Sequence, residues 1–392
     1  MKILVVTHDS NFSGGANRSL YMVLKNLKNS YYVECEVLLP KKHGELNKKL
    51  EELEIPTFSV PYFGVVSGIR QDGKDVLRRA KVSIGYYLEK FWSLYLFKRL
   101  KAKKYDLVYT NTRLPILGAL LAEKLKIPHV IHVREFLTET PLLGKWGYEQ
   151  VYERSNRVIL ISEALKKKYE HYVPSEKLIT IHNGVDSPLH LKPAFEKTKT
   201  DACYHIVIVG RLVPDKAQLD AIKAIEKLVE ENEKNIHLHI VGSSPKRSHI
   251  DWYAKEIYDY ITLKQLSDYV TCHGEVNDMV SLRAKMDIEL MCAIRETFGR
   301  VTVEGMRSGL LLIGANTGGT LEIITDHQTG LLYEQGHVDD LKEKIKGVIS
   351  NKQLYKNIAK NGYQYAQLNF TPAKNVTEIY HVFKAVLDEK TK

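Results

Sequence analysis

The chain has 392 residues, too many for one comfortable hydrophobic core, and two α/β domains of roughly 190 residues each are the natural division. Its 44% apolar and 27% charged residues are those of a soluble globular protein, and no stretch approaches the 18 consecutive apolar residues of a membrane-spanning helix. The net charge of +10 falls within residues 1–188, which hold 30 Lys and Arg against 20 Asp and Glu, whereas residues 189–392 hold 27 of each.

Met1 to Thr7 reads as a first buried strand, Ile3–Thr7. It is not a signal peptide: its apolar run is about five residues long and His8-Asp9 follow. Gly14-Gly15 precedes a helical pattern over Ala16–Leu27. A glycine pair there lets backbone approach a ligand and exposes a helix N-terminus. A strand over Cys35–Leu39, a helix over Glu45–Leu53 and a strand over Phe58–Val60 follow.

Residues 65–104 carry 11 basic and 3 acidic side chains. Within them, Ile84, Tyr87, Leu88, Phe91, Leu94 and Tyr95 recur at helical spacing, ahead of Lys98, Arg99, Lys101, Lys103 and Lys104. Aromatic residues with basic flanks suit a helix lying on an anionic lipid surface. A core helix with a solvated basic end fits the same spacing. Nucleic acid fits worse, because no nucleic-acid-binding motif accompanies the charge.

Strands Leu107–Thr110, His129–Val133, Val158–Ile161 and Leu178–Ile181 then alternate with helices Leu114–Leu125 and Glu163–Tyr169. At His182-Asn-Gly-Val-Asp186 the pattern breaks, and Ser187–Asp201 reads as a linker. Alternation restarts with strands Ile206–Val209, His237–Val241, Tyr269–Cys272, Ile288–Cys292, Leu310–Ile313 and Leu331–Tyr333. Helices are expected over Asp215–Glu231, Asp251–Leu266, Asp339–Ile349, Leu354–Gln367 and Pro372–Lys390. Near-continuous apolar strands alternating with helices predict two parallel sheets, each covered on both faces. Ligands bind at the strand C-termini of such sheets, so the expected site is a cleft between the domains. The boundaries read as residues 1–186, 187–372 and a C-terminal helix, 373–392, packing back toward the first domain.

The most informative run is Glu296-Thr-Phe-Gly299-Arg-Val-Thr-Val-Glu304. A strand, a loop broken at Phe298-Gly299 and a helix from Arg300 to Arg307 present backbone N–H groups to a phosphate. One acid before that anion site and one inside the helix grip hydroxyls on either side of it. The segment reads as a clamp for a sugar diphosphate. Arg211 and Lys216, in Gly210-Arg-Leu-Val-Pro-Asp-Lys216, converge on one diphosphate as a planar fork and a point charge. His132 ends a strand and is read either as a donor to a sugar hydroxyl or as a satisfied structural histidine. There is no G-x-G-x-x-G, which removes the main support for a nicotinamide dinucleotide. Cys35, Cys203, Cys272 and Cys292 form no CxxC, and the three in strand-like runs, Cys35, Cys272 and Cys292, read as buried reduced thiols. No metal site and no cofactor are expected.

Taken together these pieces resemble the retaining glycosyltransferases of family four, which share the GT-B fold, and bacterial capsular and exopolysaccharide enzymes among them. In order they are Gly14-Gly15, His132 in His-Val-Arg-Glu135, Ser155-Asn-Arg-Val-Ile-Leu-Ile-Ser162, His182 to Asp186, Gly210-Arg211 with Lys216, and His237-Leu-His-Ile-Val-Gly242. Cys272-His-Gly-Glu-Val276, the Glu296 and Glu304 segment, and Gly318-Gly319-Thr-Leu-Glu322 complete them. The resemblance implies that Arg211 and Lys216 bind the donor diphosphate and that Glu304 holds the ribose. It places Glu296 on a donor-sugar hydroxyl, His132 beside that sugar, backbone at Phe298-Gly299 on the diphosphate, and Val276 at the base pocket. Ala217 stands where the family often has Gly, and Leu321 where it often has Pro. The implied reaction is metal-independent transfer, with retention, from a nucleotide diphosphate sugar to a saccharide or lipid-linked saccharide. A UDP-sugar is favoured over a GDP-sugar, at the inner face of the cell membrane. Transfer to a soluble small acceptor, a catalytically silent partner of a second transferase, and a sugar-nucleotide epimerase are the alternatives.

Overall fold

The computed structural model describes residues 1–12, 14–63, 75–136, 152–186, 192–196, 203–244 and 251–390. The chain divides into two compact units, Met1–Gly184 with Pro372–Lys392, and Val185–Thr371. Most of the expected linker lies outside the described residues, as does the first part of the basic segment.

The first unit holds β1 (Lys2–Val6), β2 (Glu34–Leu39), β3 (Thr57–Ser59), β4 (Leu107–Asn111), β5 (His129–Val133), β6 (Arg157–Leu160) and β7 (Leu178–Thr180). They form one parallel sheet in the order β3-β2-β1-β4-β5-β6-β7. The second unit holds β8 (Tyr204–Val209), β9 (Ile236–Val241), β10 (Val270–Gly274), β11 (Ile288–Met291), β12 (Leu311–Ala315) and β13 (Leu331–Tyr333). Its sheet is also parallel, in the order β10-β9-β8-β11-β12-β13. Both are Rossmann-like α/β sheets, and every expected strand is present with its ends moved by two residues at most.

Near-continuous apolar strands are what two covered faces require. In β1, Ile3 and Val5 pack with Leu20 and Leu24 of the helix Gly15–Tyr31 and with Val376 and Phe383 of the helix Pro372–Lys390. Leu4 and Val6 point the other way, toward Leu96, Leu100, Leu117 and Leu121. In the second unit, Ile206, Ile208, Leu238 and Ile288 join the helices Gln218–Glu230 and Val338–Ser350 in one core. All four cysteines are free; Cys35 and Cys292 are buried, and burial pushes each thiol up to about 12. The expectation of burial fails for Cys272, which is half-exposed because β10 is an edge strand.

The helix Asp75–Leu100 is apolar on two opposite faces. Val82, Gly85, Glu89, Ser93, Leu96 and Leu100 point inward. Of the stripe seen in the sequence, Ile84, Tyr87, Phe91, Leu94 and Tyr95 point to solvent, each 47% to 67% exposed, and Leu88 is half-buried at its edge. The stripe is therefore a surface feature of the unit and not its core.

Glu89 is fully buried. Its Oε2 accepts from the backbone N–H groups of Ile116 and Leu117, both at 2.8 Å, and so caps the helix Leu117–Leu125, which lacks a side-chain cap of its own. Burial raises its carboxyl well above the usual value of 4.5, against the pull of those two N–H groups. A carboxyl raised on folding contributes fully below its unfolded pKa and loses that contribution as pH rises. Glu89→Gln keeps an acceptor for both N–H groups and carries no charge. The stability of Glu89→Gln relative to wild type should therefore increase from pH 4.5 upward, read as urea midpoints across pH 4.5–8.

Candidate active site

Strand order reverses between β1 and β4 in the first sheet and between β8 and β11 in the second. Loops leaving two such strands diverge and open a crevice at the strand C-termini. The expected residues of the second unit gather there. Gly210 and Arg211 follow β8, Val276 follows β10, Glu296 to Gly299 follow β11, and Glu304 lies in the helix Arg300–Arg307.

Backbone bonds tie these loops together. The N–H of Ile294 donates to the carbonyl of Asp215 at 3.0 Å, and that of Gly319 to the carbonyl of Glu296 at 2.9 Å. The Thr317 hydroxyl donates to the carbonyl of Ile294 at 3.0 Å. The backbones approach so closely that side chains are excluded. A Cβ on Gly319 would stand 2.5 Å from Cα of Phe298, and one on Gly242 only 1.9 Å from the carbonyl oxygen of Gly210. Gly299 has φ +106° and opens the helix Arg300–Arg307 with no side-chain cap, which leaves first-turn N–H groups for a ligand. Phe298 is buried and meets Phe370 edge-on, so its ring anchors the loop.

Lys216 and Glu296 are brought together: Nζ of Lys216 donates to Oε2 of Glu296 at 2.6 Å, with the two side chains 28% and 12% exposed. Arg211 is exposed at the end of β8, and its carbonyl accepts from Gln218. Glu304 is held from behind by a residue the sequence reading passed over. Arg283 ends the short helix Met279–Arg283, whose N-cap is Asp278, just past Val276. Its Nη1 donates to Oε2 of Glu304 at 3.0 Å. Its Nε and Nη2 form a bidentate pair with the buried Glu289 of β11, both at 2.9 Å. Burial opposes the Arg283 charge, but the two carboxylates outweigh it and raise its pKa.

In the first unit, Gly14 caps the helix Gly15–Tyr31 without a side-chain bond, and a Cβ there would meet nothing within 4 Å. His132 lies within β5 and is fully buried. Its Nδ1 meets the Tyr109 hydroxyl at 2.6 Å and the Arg134 guanidinium at 3.3 Å, and its Nε2 has no partner among the described residues. Burial, and then Arg134, lowers its pKa well below the usual range, so the ring is neutral. Two donors at Nδ1 place the proton on Nε2. Arg134 also donates to Asn111 at 2.8 Å and to Asn183 at 2.5 Å, tying the ends of β4 and β5 to the segment after β7. Lys98, Arg99, Lys101, Lys103 and Lys104 are exposed just ahead of β4, at the N-terminal edge of the sheet.

Among the described residues, no three His, Cys, Asp or Glu side chains converge as a metal site. A cavity of about 650 Å³ opens at the strand N-termini of the second sheet, beside His239, His273 and Tyr355, and no expected site residue lines it.

The family model described as Glycosyltransferase Family 4 matches residues 13–187, and that described as Glycosyl transferases group 1 matches residues 194–365. The chain belongs to the family 4 glycosyltransferases. It is 25% identical over 243 residues to the capsular polysaccharide biosynthesis glycosyltransferase CapM of Staphylococcus aureus, covering 59% of this chain and 62% of CapM. It is 24% identical over 371 residues to a Campylobacter jejuni α-1,4-N-acetyl-D-galactosaminyltransferase, covering 93% of each; the name of that enzyme gives a saccharide on diphosphoundecaprenol as its acceptor. HepE of Anabaena, solved with UDP, superposes with a TM-score of 0.79 at 21% identity, covering 98% of this chain and 100% of HepE. The fold of the transferase is GT-B.

The Arg283 and Glu289 pair makes one demand on the transferase. Arg283→Met leaves Glu289 a buried, unpaired carboxylate, and should cost roughly 3–5 kcal/mol of stability. Arg283→Met with Glu289→Leu removes both charges and should recover most of that loss, read from urea unfolding of the two variants beside wild type.

Proposed function

We propose that this transferase moves a sugar, with retention, from a UDP-sugar to a lipid-linked saccharide at an anionic membrane surface, with no metal in the step. The observation that carries the reading is the set of loops after β8, β10 and β11: Lys216, Glu296 and Glu304 stand around a glycine-bounded helix N-terminus. In this reading the diphosphate takes Lys216, Arg211 and the N–H groups after Gly299. Glu296 is then released from Lys216 to accept from a sugar hydroxyl, and Glu304 accepts from the ribose. Val276 lies at the base, Gly14 and Gly15 leave backbone free to approach the ligand, and the Nε2–H of His132 donates to the sugar. As the bond to the sugar breaks, charge grows on the diphosphate, where fixed cations and N–H groups act most strongly.

The expected consequence is that Arg211→Ala and Lys216→Ala lower turnover by more than they weaken binding of the nucleoside alone. Transfer should persist in excess EDTA. Full turnover in either variant, or strict dependence on Mg²⁺, would remove these cations from the role.

The membrane part of the reading is supported by the exposed stripe. Ile84, Tyr87, Phe91, Leu94 and Tyr95 face solvent on the helix Asp75–Leu100, and Lys98 and Arg99 continue the same side by one turn. A helix presenting apolar side chains beside basic ones lies in a lipid interface, each cation adding about 1 kcal/mol near anionic lipid. The relative from Campylobacter jejuni, named for a lipid-linked acceptor, agrees with this placement. The setting is the inner face of the cell membrane. Cosedimentation with phosphatidylglycerol vesicles should be strong at low salt and fall as salt screens the charges. Replacing Lys98, Arg99, Lys101, Lys103 and Lys104 by Ser should release the protein and leave donor hydrolysis intact. Phe91→Ser with Leu94→Ser should weaken binding without lowering the melting temperature, because neither side chain is in the core. A wild type that ignores such vesicles at low salt would turn the reading to a soluble acceptor.

A further inference from the structure

Glu304 does not stand alone on its helix. One guanidinium, that of Arg283, is divided between two carboxylates in different elements. Its Nε and Nη2 edge is locked to Glu289, which has no exposed surface, and Nη1 is left for Oε2 of Glu304. Among the described residues, the other oxygen of Glu304 meets only the longer contact from Arg300, at 3.5 Å, and the side chain is 27% exposed. The guanidinium is planar, so fixing one edge fixes the direction of the remaining N–H. Lysine, a single point charge on a flexible stem, has no such second edge.

A fourth residue fits the same device. Gly305 follows Glu304 directly, and a Cβ there would lie 2.4 Å from Oε2 of Glu289. The helix residue beside Glu304 thus has no side chain, in the space where Glu289 holds Arg283. Arg283 also ends the helix that begins just past Val276, so one short segment runs from the proposed base pocket to the proposed ribose acid.

We propose that Arg283, anchored by Glu289, is a positioning residue that aims Glu304 at the ribose hydroxyls and so sets the preference for ribonucleotides over deoxyribonucleotides. This rests on the reading of Glu304 as the ribose acid. Orientation and not mere charge is what Arg283 supplies: Oε2 is occupied, and Oε1, met by Arg300 at 3.5 Å, is the oxygen left for the ribose in this reading.

The test compares calorimetric affinities for UDP and 2′-deoxy-UDP in four proteins: wild type, Glu304→Gln, Arg283→Lys, and Arg283→Met with Glu289→Leu. Wild type should prefer UDP by about tenfold or more, the size of one hydrogen bond to a charged acceptor. Glu304→Gln should lose most of that preference. Arg283→Lys should also lose it, while its affinity for 2′-deoxy-UDP stays within about twofold of wild type, a pattern that loss of packing alone does not produce. The double variant carries the test if Arg283→Lys does not fold: it removes both buried charges and leaves Glu304 without Arg283, so the preference should vanish in a protein that still melts cooperatively. Wild-type preference in a folded Arg283→Lys or double variant, with Glu304→Gln impaired, overturns the positioning role and leaves the ribose reading standing. Undiminished preference in Glu304→Gln, or none in wild type, overturns the ribose reading itself and the positioning role with it.

Discussion

Two parallel strands cannot be joined by a tight turn; the chain must cross back over a face of the sheet before the next strand begins. That constraint organises both units. Each sheet is covered by crossover helices, so its strands are apolar on both faces, and every strand delivers its loop to the same edge. Where the order reverses, at β1 and β4 and again at β8 and β11, neighbouring loops part. In the second unit the gap is rimmed by backbone in close approach, which is why Gly242 and Gly319 have no room for a Cβ. Lys216, Glu296 and Glu304 stand on that rim because the topology puts three loop ends there, not because they are close in sequence.

Much of this was legible in the residues. Strand positions followed from short apolar runs, and the pair at Glu296 and Glu304 marked a loop and a helix whose bounds the structure keeps, Arg300–Arg307. Arg283 was not found, because it lies 21 residues before Glu304 and its partner is a strand residue. A signal did exist. Glu289 interrupts an otherwise apolar strand, and a carboxylate in a strand buried on both faces needs a cation. The outward stripe was unreadable for a different reason. Val82, Leu96 and Leu100 on one side of the helix are as apolar as Ile84, Phe91 and Leu94 on the other, so periodicity alone cannot say which side meets the sheet. Glu89, on the buried side, points the wrong way for the usual rule.

The charges of the second unit are arranged as paired sets with different solvent access. Lys216 and Glu296 are partly exposed, and a pair of that kind holds its partners loosely enough for an incoming anion to compete. Arg283 and Glu289 are sealed, and breaking them strands a charge. Glu304 lies at the boundary, joined to the sealed pair by one oxygen and met at the other only by the longer contact from Arg300 among the described residues. In the proposed reading, the exchangeable pair meets the part of the donor that changes in the reaction, and the fixed one backs the part that does not.

The 2.4 Å gap between Oε2 of Glu289 and the missing Cβ of Gly305 constrains how this sequence can change over time. Alanine, the better helix former, would at position 305 force the buried Glu289 carboxylate to shift from where it holds Arg283. Glutamate at position 289 would meet the same conflict once alanine stands at 305. Reaching one state from the other requires losing the acid first and gaining the methyl second, with Arg283 left on Glu304 alone in between unless it changes as well. The two arrangements are separated by an order of events, so a lineage that has taken one will tend to keep it.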